Sequence, residues 1–215
     1  MVIIKKVGAK SILDSRNEKT ILVTIKTNND TFSASAPTGK STGKHEAKTY
    51  KKSLEDEIKV VKSFSSYFSS ENIEGFDDLR RIEDIADGHL GGNTVFALES
   101  ATLKALAKER KKEIWELINF NAKKFPRLVG NCIGGGKHSS QNKKPDFQEF
   151  LLIPNEKSVE ESWELNKKIK KETEVLLKKA DEDFQSKKND ENAWETRLNE
   201  KEILEILKNF KVNKD

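Results

Sequence analysis

The sequence predicts an α+β domain followed by the opening of a larger α/β sheet or barrel. Three observations predict this fold: strand-like patterning before residue 37, helical periodicity from Ser53 to about Arg110, and two strand patterns followed by two helix patterns after Pro126. The change in character near residue 126 divides the chain into a first domain, residues 1–125, and a second region, residues 126–215.

The first domain opens with three short β-prone runs, which favour a three-stranded antiparallel meander. The runs are residues 2–4, 20–25 and 31–35. Asn28, Asn29 and Asp30 are typical of the turn between the last two strands. Ser53 with Asp56 three residues later resembles a capping box and predicts a helix start. An alanine-rich helix is predicted after residues 91–93, with Phe96 and Ala97 on its inner face.

The second region begins with predicted strands at residues 128–133 and 147–153, joined by a glycine-rich loop that we expect to be flexible. Capping-box patterns at Ser158 and Asn199 predict two amphipathic helices, and residues 184–198 between them are polar and irregular. Two strands and two helices would leave strand edges unpaired and one face half covered. We therefore expect this region to lack an enclosed core of its own and the remaining strands to lie outside this sequence.

Composition favours a cytoplasmic protein with a solvated surface. The 40 Lys+Arg and 36 Asp+Glu give a net charge of +4 and are interspersed, and only residues 167–171 suggest the basic stripe of a nucleic-acid binder. The apolar runs are far shorter than the roughly 18 residues of a membrane helix. The single Cys132 cannot form an internal disulfide, which fits a reducing compartment. A membrane protein is therefore not expected, and nucleic-acid binding has little support.

The polar run Gly39-Lys40-Ser41-Thr42 is similar to the end of a phosphate-binding P-loop. That motif requires a glycine five residues before Gly39, where this chain has Ala34, so we reject it. A mobile polar loop is the alternative, and loops of this kind often close over substrates.

Three further polar groups lie where strands are predicted to begin or end: His138, the pair Gln148 and Glu149, and the pair Asp190 and Glu191. A carboxylate among apolar strand residues is costly unless it is paired, hydrogen-bonded or exposed to a cavity, so Glu149 most needs an explanation. A non-functional interpretation stays open for each group. Glu149 could face solvent at a sheet edge, His138 could be an exposed turn residue, and Asp190 and Glu191 could be ordinary loop acids.

Five segments, in the correct order, resemble the N-terminal half of enolases of archaeal type. Residues 12–20 resemble I-L-D-S-R-G-N-P-T, residues 36–47 A-P-S-G-A-S-T-G-x-x-E-A, residues 90–98 L-G-x-N-A-x-x-A-L, residues 131–138 N-x-I-x-G-G-x-H, and residues 148–150 Q-E-F. The resemblance implies an α+β capping domain followed by the first ββαα part of an incomplete enolase-type barrel. It also implies a cytoplasmic carbon–oxygen lyase of glycolysis and gluconeogenesis, phosphopyruvate hydratase, which reversibly dehydrates 2-phosphoglycerate to phosphoenolpyruvate. In such enzymes a lysine removes the C2 proton, two Mg²⁺ ions stabilise the dianionic intermediate, and a carboxylic acid helps hydroxide leave C3.

The resemblance also implies roles for individual residues. Ser41 would close over the substrate and bind the second magnesium. His138 and Gln148 would contact the substrate, and Glu149 would hydrogen-bond with the proton donor. The donor would be Glu191, because residues 189–194 resemble the family segment G-D-E-G-A-W.

The last segment departs from the family pattern. Asn189 and Asn192 replace its two glycines, and Glu195 and Thr196 replace the Ala-Pro that follows the tryptophan. Lys40 stands where the family has a small residue. Asparagine adopts left-handed backbone more readily than most residues, so the segment can still turn.

The family's base lysine, phosphate-binding residues and magnesium carboxylates belong to its second half, which this sequence does not contain. One hypothesis is therefore a split enolase, inactive as this chain alone, that needs a complementary C-terminal chain and pairs into a homo-oligomer. The second hypothesis is a degenerate, non-catalytic enolase-like binding or structural protein. The third, an RNA-binding domain, predicts steeply salt-dependent binding to polynucleotide.

Overall fold

The computed structural model describes residues 1–39, 42–69 and 71–210. The chain forms two compact units, Met1–Lys123 and Lys124–Asp215. We predicted a capping domain at residues 1–125 and the start of a barrel domain at residues 126–215. Both assignments remain predictions. No helix among the described residues has both the length and the apolar character needed to cross a membrane.

The first unit combines short strands with helices. Its strands are β1 (Val2–Ile3), β2 (Lys6–Leu13), β3 (Lys19–Lys26), β4 (Thr31–Ala36) and β5 (Asn72–Ile73), and its helices are α1 (Leu54–Ser63), α2 (Ser65–Phe68), α3 (Arg80–Ala86), α4 (Gly92–Arg110) and α5 (Ile114–Ile118).

A three-stranded antiparallel sheet in the order β2-β3-β4, covered by helices, confirms the predicted meander. Alternate residues of β3, such as Ile21 and Val23, are completely buried in the core. Val2 and Ile3 do form a strand, but their predicted place in this meander is wrong, because they pair with β5 in a separate two-stranded sheet. The true first strand, β2, was missed because its apolar alternation is short: Val7 and Ala9 are buried, but Ser11, the next residue on that face, is polar and exposed.

Helix α4 packs its small side chains against the sheet. Ala97, Ala101 and Ala105, spaced four residues apart, are almost completely buried. The inward placement predicted for Phe96 is wrong, since 57% of it is exposed. Successive helical residues are rotated by about 100°, so a neighbour of Ala97 falls off this stripe. The buried Glu57 accepts hydrogen bonds from the Gly91 N–H and the Thr94 hydroxyl at the start of α4.

The second unit contains β6 (Gly130–Gly134), β7 (Glu149–Leu152), α6 (Val159–Ala180), β8 (Trp194–Glu195) and α7 (Glu200–Lys208). The central strand β6 pairs antiparallel with β7 and parallel with β8. Both helices begin at the predicted capping boxes, with Ser158 and Asn199 as the N-caps. These boxes satisfy the free N–H groups of the first helical turns.

Two predictions for this region are corrected. The element order is ββαβα rather than ββαα, because β8 is a two-residue strand inside a segment of loop-like composition. The region also has its own buried core, which was not expected; the buried side chains are Cys132, Ile133, Phe150, Leu177, Trp194, Leu198, Ile203 and Ile206. The third strand supplies Trp194 to this core, while Leu151 and Ile153 remain about half exposed.

Candidate functional site

Three ionisable side chains of the second unit meet at one end of the β6–β7–β8 sheet. The His138 Nδ1 atom lies 2.7 Å from Glu191 Oε2 and 3.4 Å from Glu149 Oε1. The imidazole is 7% exposed, whereas 34% of each carboxylate side chain is exposed. The cluster therefore has a buried imidazole and two acids that solvent or a ligand can reach.

The glycine-rich turn after β6 positions His138. A Cβ atom on Gly135 would lie 2.3 Å from the Phe147 carbonyl oxygen, and Gly136 has a φ of +48°. The His138 N–H donates to the Gly135 carbonyl at 2.9 Å, within a single 3₁₀ turn. The loop predicted to be flexible is thus a tight turn in which both glycines are required by space or by backbone angle.

Glu149 is the first residue of β7 and pairs with Gly134 of β6. The next residue, Phe150, points into the core, and Glu149 points to the opposite side because side chains alternate along a strand. Its position at the strand end, beside His138, explains how an acid is tolerated in an apolar strand.

Glu191 is held by a turn built from the two asparagines that replace glycine. The Asn189 side-chain oxygen accepts the N–H groups of Glu191 at 3.0 Å and Ala193 at 2.9 Å. Asn192 adopts a left-handed φ of +64°, which asparagine tolerates. Lys170 donates to the Asn192 carbonyl, and burial lowers the pKa of this lysine. The altered segment still turns and brings its acid to His138.

Asn131 of β6 is a site residue whose importance the residue-level reasoning missed. Its Nδ2 donates to Glu191 Oε2 at 3.0 Å, and its Oδ1 is buried with no hydrogen-bond partner among the described residues. The signal was present, because Asn131 opens the motif that ends in His138. Glu191 Oε2 therefore lies between an amide and an imidazole.

Glu195 and Thr196, the other two departures, anchor this region through buried groups. Glu195 is 3% exposed and accepts the Ser140 N–H at 2.7 Å and its hydroxyl at 3.0 Å. Thr196 donates to the Asp181 carboxylate at 2.5 Å. Burial raises the pKa of the Asp181 carboxyl group, but its hydrogen bonds outweigh burial and keep the pKa below its ordinary value. Glu195 thus ties the residues after His138 to β8.

Gln148, the other predicted site residue within the described part of the chain, is not bonded to this cluster. Gln148 is exposed, and its backbone carbonyl accepts the Gly135 N–H at 2.9 Å. No described hydrogen bond joins its side chain to the cluster. Ser41, the predicted metal ligand, lies outside the described residues, and so does Lys40.

The cluster can hold and transfer protons. Two carboxylates contact the same imidazole nitrogen, and a proton can be carried by the imidazole or by either acid. Among the described residues, His138, Glu149 and Glu191 also form a group of potential metal ligands. Their donor atoms lie within 4.8 Å of one another. Mg²⁺ fits this set poorly because it prefers an octahedron of oxygen ligands.

The fold and the cluster define an N-terminal α+β unit followed by a second unit of three short strands and two helices with a His–carboxylate site. Residues 4–118 match the family described as "Enolase, N-terminal domain". Curated relatives include the enolases of Methanothermobacter thermautotrophicus, with 36% identity over 95% of this chain and 51% of the relative, and of Picrophilus torridus, with 32% identity over 96% and 53%. The chain belongs to the enolase family, and it spans about half the length of the curated relatives it matches.

Proposed function

We propose that this chain supplies the acid side of an enolase active site and that it dehydrates 2-phosphoglycerate only when combined with the rest of the barrel. The observation that carries this proposal is the convergence of His138, Glu149 and Glu191, which come from a turn, a strand and a loop, the last 53 residues from His138. A purely structural role would not require two acids that are each one-third exposed beside a buried imidazole.

In this proposal Glu191 is the proton donor. When the C3–O bond of the substrate breaks, the departing hydroxide takes the proton of the Glu191 carboxyl group and leaves as water. Asn131 and His138 orient the carboxyl group by holding Oε2 from two sides. Glu149 reaches the donor through His138 and replenishes its proton. His138 and Gln148 contact the substrate.

The proposed reaction also requires magnesium. Bound Mg²⁺ supplies charge stabilisation for the anionic intermediate of enolase-type reactions. The donor set of the described cluster does not fit it, so its carboxylate ligands are expected in the part of the barrel that this chain lacks. Ser41 is proposed as the one ligand that this chain adds to the second ion.

The remaining parts of the proposal concern assembly. The second unit is proposed to be the opening of an enolase-type barrel, because its sheet has a parallel pair, β6 and β8, as barrels do. The half-exposed Leu151 and Ile153 are apolar surface that further barrel elements would cover. A cytoplasmic location and a homo-oligomer of the assembled protein complete the proposal.

The test is complementation with the C-terminal half of the Methanothermobacter thermautotrophicus enolase. The chain, the complement and their mixture are each given 2-phosphoglycerate and Mg²⁺, and the ultraviolet absorbance of the enolpyruvate product is followed. Turnover is expected from the mixture alone. Glu191→Gln should lower it by about 10²-fold or more, as for loss of a general acid, whereas Glu164→Gln, at an exposed position on α6, should not. Turnover by the chain alone, or equal rates for the two variants, would contradict the proposal.

A non-catalytic binding protein is the second candidate. It is favoured by Glu195 and Thr196, which occupy a segment that is Ala-Pro in the family pattern and which both enter buried hydrogen-bond networks. Such a protein would bind phosphoenolpyruvate in calorimetry without turnover in any mixture. The complementation experiment therefore separates the two candidates.

A further inference from the structure

The connection that precedes β7 is held at both ends by the segment that leads from β8 into α7. The connection is residues 139–147, and the segment is residues 195–200. Glu195 holds the beginning of the connection through its hydrogen bonds to Ser140. The other end has an anchor of its own, Glu200, which is the first residue of α7. One short stretch of chain therefore holds the connection at both ends.

Glu200 fixes the backbone of the last two residues of the connection. Its Oε1 atom accepts the N–H groups of Asp146 and, at 3.3 Å, of Phe147. Hydrogen bonds from its own N–H and from that of Asp146 lower the pKa of the Glu200 carboxyl group, so the ionised form is the one that binds. Hydrogen bonds to an ionised acceptor are stronger than those between neutral groups. A single carboxylate oxygen thus holds two successive amides just before β7.

Residues 145–148, which Glu200 fixes, carry both sides of the contact between His138 and Glu149. Two hydrogen bonds of 2.9 Å join these residues to the glycine-rich turn that positions the imidazole. At their other end they continue directly into β7, whose first residue supplies the carboxylate. Displacement of residues 145–148 would therefore change the 3.4 Å separation between the imidazole Nδ1 and the carboxylate Oε1.

The Glu149 side chain depends on its backbone for its position. Within the described part of the chain, its carboxylate has no hydrogen bond or ion pair other than the contact with His138. Glu191, in contrast, is also held by the amide of Asn131 at 3.0 Å. The place of the Glu149 carboxylate is therefore set by where β7 begins, which is the point that Glu200 anchors.

We propose that Glu200 is a positioning residue of the site: by holding residues 145–148, it sets the distance between the His138 imidazole and the Glu149 carboxylate. This role rests on the proposed function, in which Glu149 returns protons to Glu191 through His138. A displaced carboxylate would slow that return. Substrate binding would change less, because the phosphate-binding residues are expected in the part of the barrel that this chain lacks.

The test compares two glutamates of α7 in the complemented enzyme. Glu200→Ala should lower kcat by about 10- to 100-fold, with a smaller change in KM, since a misplacement of about 1 Å can cost this much. Glu200→Gln keeps an acceptor oxygen and should recover most of the rate. Glu202→Ala is the matched control, because it removes only the 2.8 Å capping bond to the Asn199 N–H and should leave kcat unchanged.

NMR of the chain alone gives a measurement that needs no turnover. In Glu200→Ala, amide hydrogen exchange at Asp146 and Phe147 should become faster, since both N–H groups lose their acceptor. The signal of the His138 ring should shift as well. Glu202→Ala should change neither. Urea unfolding shows whether each variant is folded.

Three results would overturn the proposal: unchanged exchange and ring signals in Glu200→Ala, equal losses of kcat in Glu200→Ala and Glu202→Ala, or no recovery in Glu200→Gln. A shifted ring signal in Glu200→Ala, together with an inactive complemented parent enzyme, would refute the proposed function alone. An active parent enzyme, together with an unchanged ring signal in Glu200→Ala, would refute the positioning role alone.

Discussion

Glu195 provides the sharpest test of how the candidate site is held together. Glu195→Ala removes two hydrogen bonds to Ser140, each to a charged acceptor and each contributing about 1.5–3 kcal/mol. Three effects reduce the sum. Ser140 is exposed and can bond to water, removal of a buried carboxylate relieves its desolvation, and the Lys187 partner is 54% exposed and adds little. The expected loss in the free energy of unfolding is about 2 kcal/mol, and about 1 kcal/mol for Glu195→Gln, which keeps one acceptor oxygen.

The stability assay is urea unfolding followed by the fluorescence of Trp194, which is buried beside the mutated residue. The exposed Trp115 and Trp163 are replaced by Phe in every variant so that they do not contribute to the signal. The second measurement is the NMR signal of the His138 ring. We expect it to shift and broaden in Glu195→Ala, because the residues that follow His138 lose their anchor.

Asp181→Asn is the matched control. Asp181 is another buried carboxylate, and it accepts hydrogen bonds from Thr196 and from the Arg197 N–H at 2.8 Å. Its variant should lose comparable stability while the His138 signal stays unchanged. The reasoning would be refuted if Glu195→Ala left the His138 signal unchanged, or if both variants altered it equally.

Two further predictions concern the turn and the first unit. Gly135→Ala should displace His138, since the new Cβ would lie 2.3 Å from a carbonyl oxygen, and the NMR signal of the His138 ring should shift. Gly75→Ala, where a Cβ meets nothing within 4 Å, is its control, and an unchanged ring signal in Gly135→Ala would contradict the argument. Burial and the neighbouring Glu83 raise the pKa of Glu99 from 4.5 to about 7. The folded state then binds more protons than the unfolded state between these values, so stability should fall as pH rises through this window, by about 1–2 kcal/mol after solvent screening. Glu99→Gln should flatten the dependence of the urea midpoint on pH, and an unchanged slope would contradict the assignment.

Local signals in the sequence were sufficient for the helix starts at Ser158 and Asn199 and for the sheet-plus-helix character of the first unit. Ser158 and Asn199 were correctly identified as N-caps because a capping box lies within four residues and needs no distant partner. Strands were harder to predict. The two residues of β8 have no periodicity to detect, and they form a strand only because β6 lies beside them.

For the site, the sequence supplied the members but not their arrangement. His138, Glu149 and Glu191 were named from motifs, and the departures at Asn189 and Asn192 left the position of the last acid undetermined. The left-handed Asn192 and the side-chain bonds of Asn189 answer that question through backbone geometry.

By itself, the sequence determined the helix starts after Ser158 and Asn199, the sheet-plus-helix character of the first unit and the chemical types available for the site, because these depend on neighbours along the chain. Only the tertiary structure decided that the imidazole of His138 lies between two carboxylates, that Asn131 also contacts Glu191, and that Glu195 anchors the turn. Those contacts join residues up to 60 positions apart. Their distances follow from strand pairing and core packing, which no local pattern encodes.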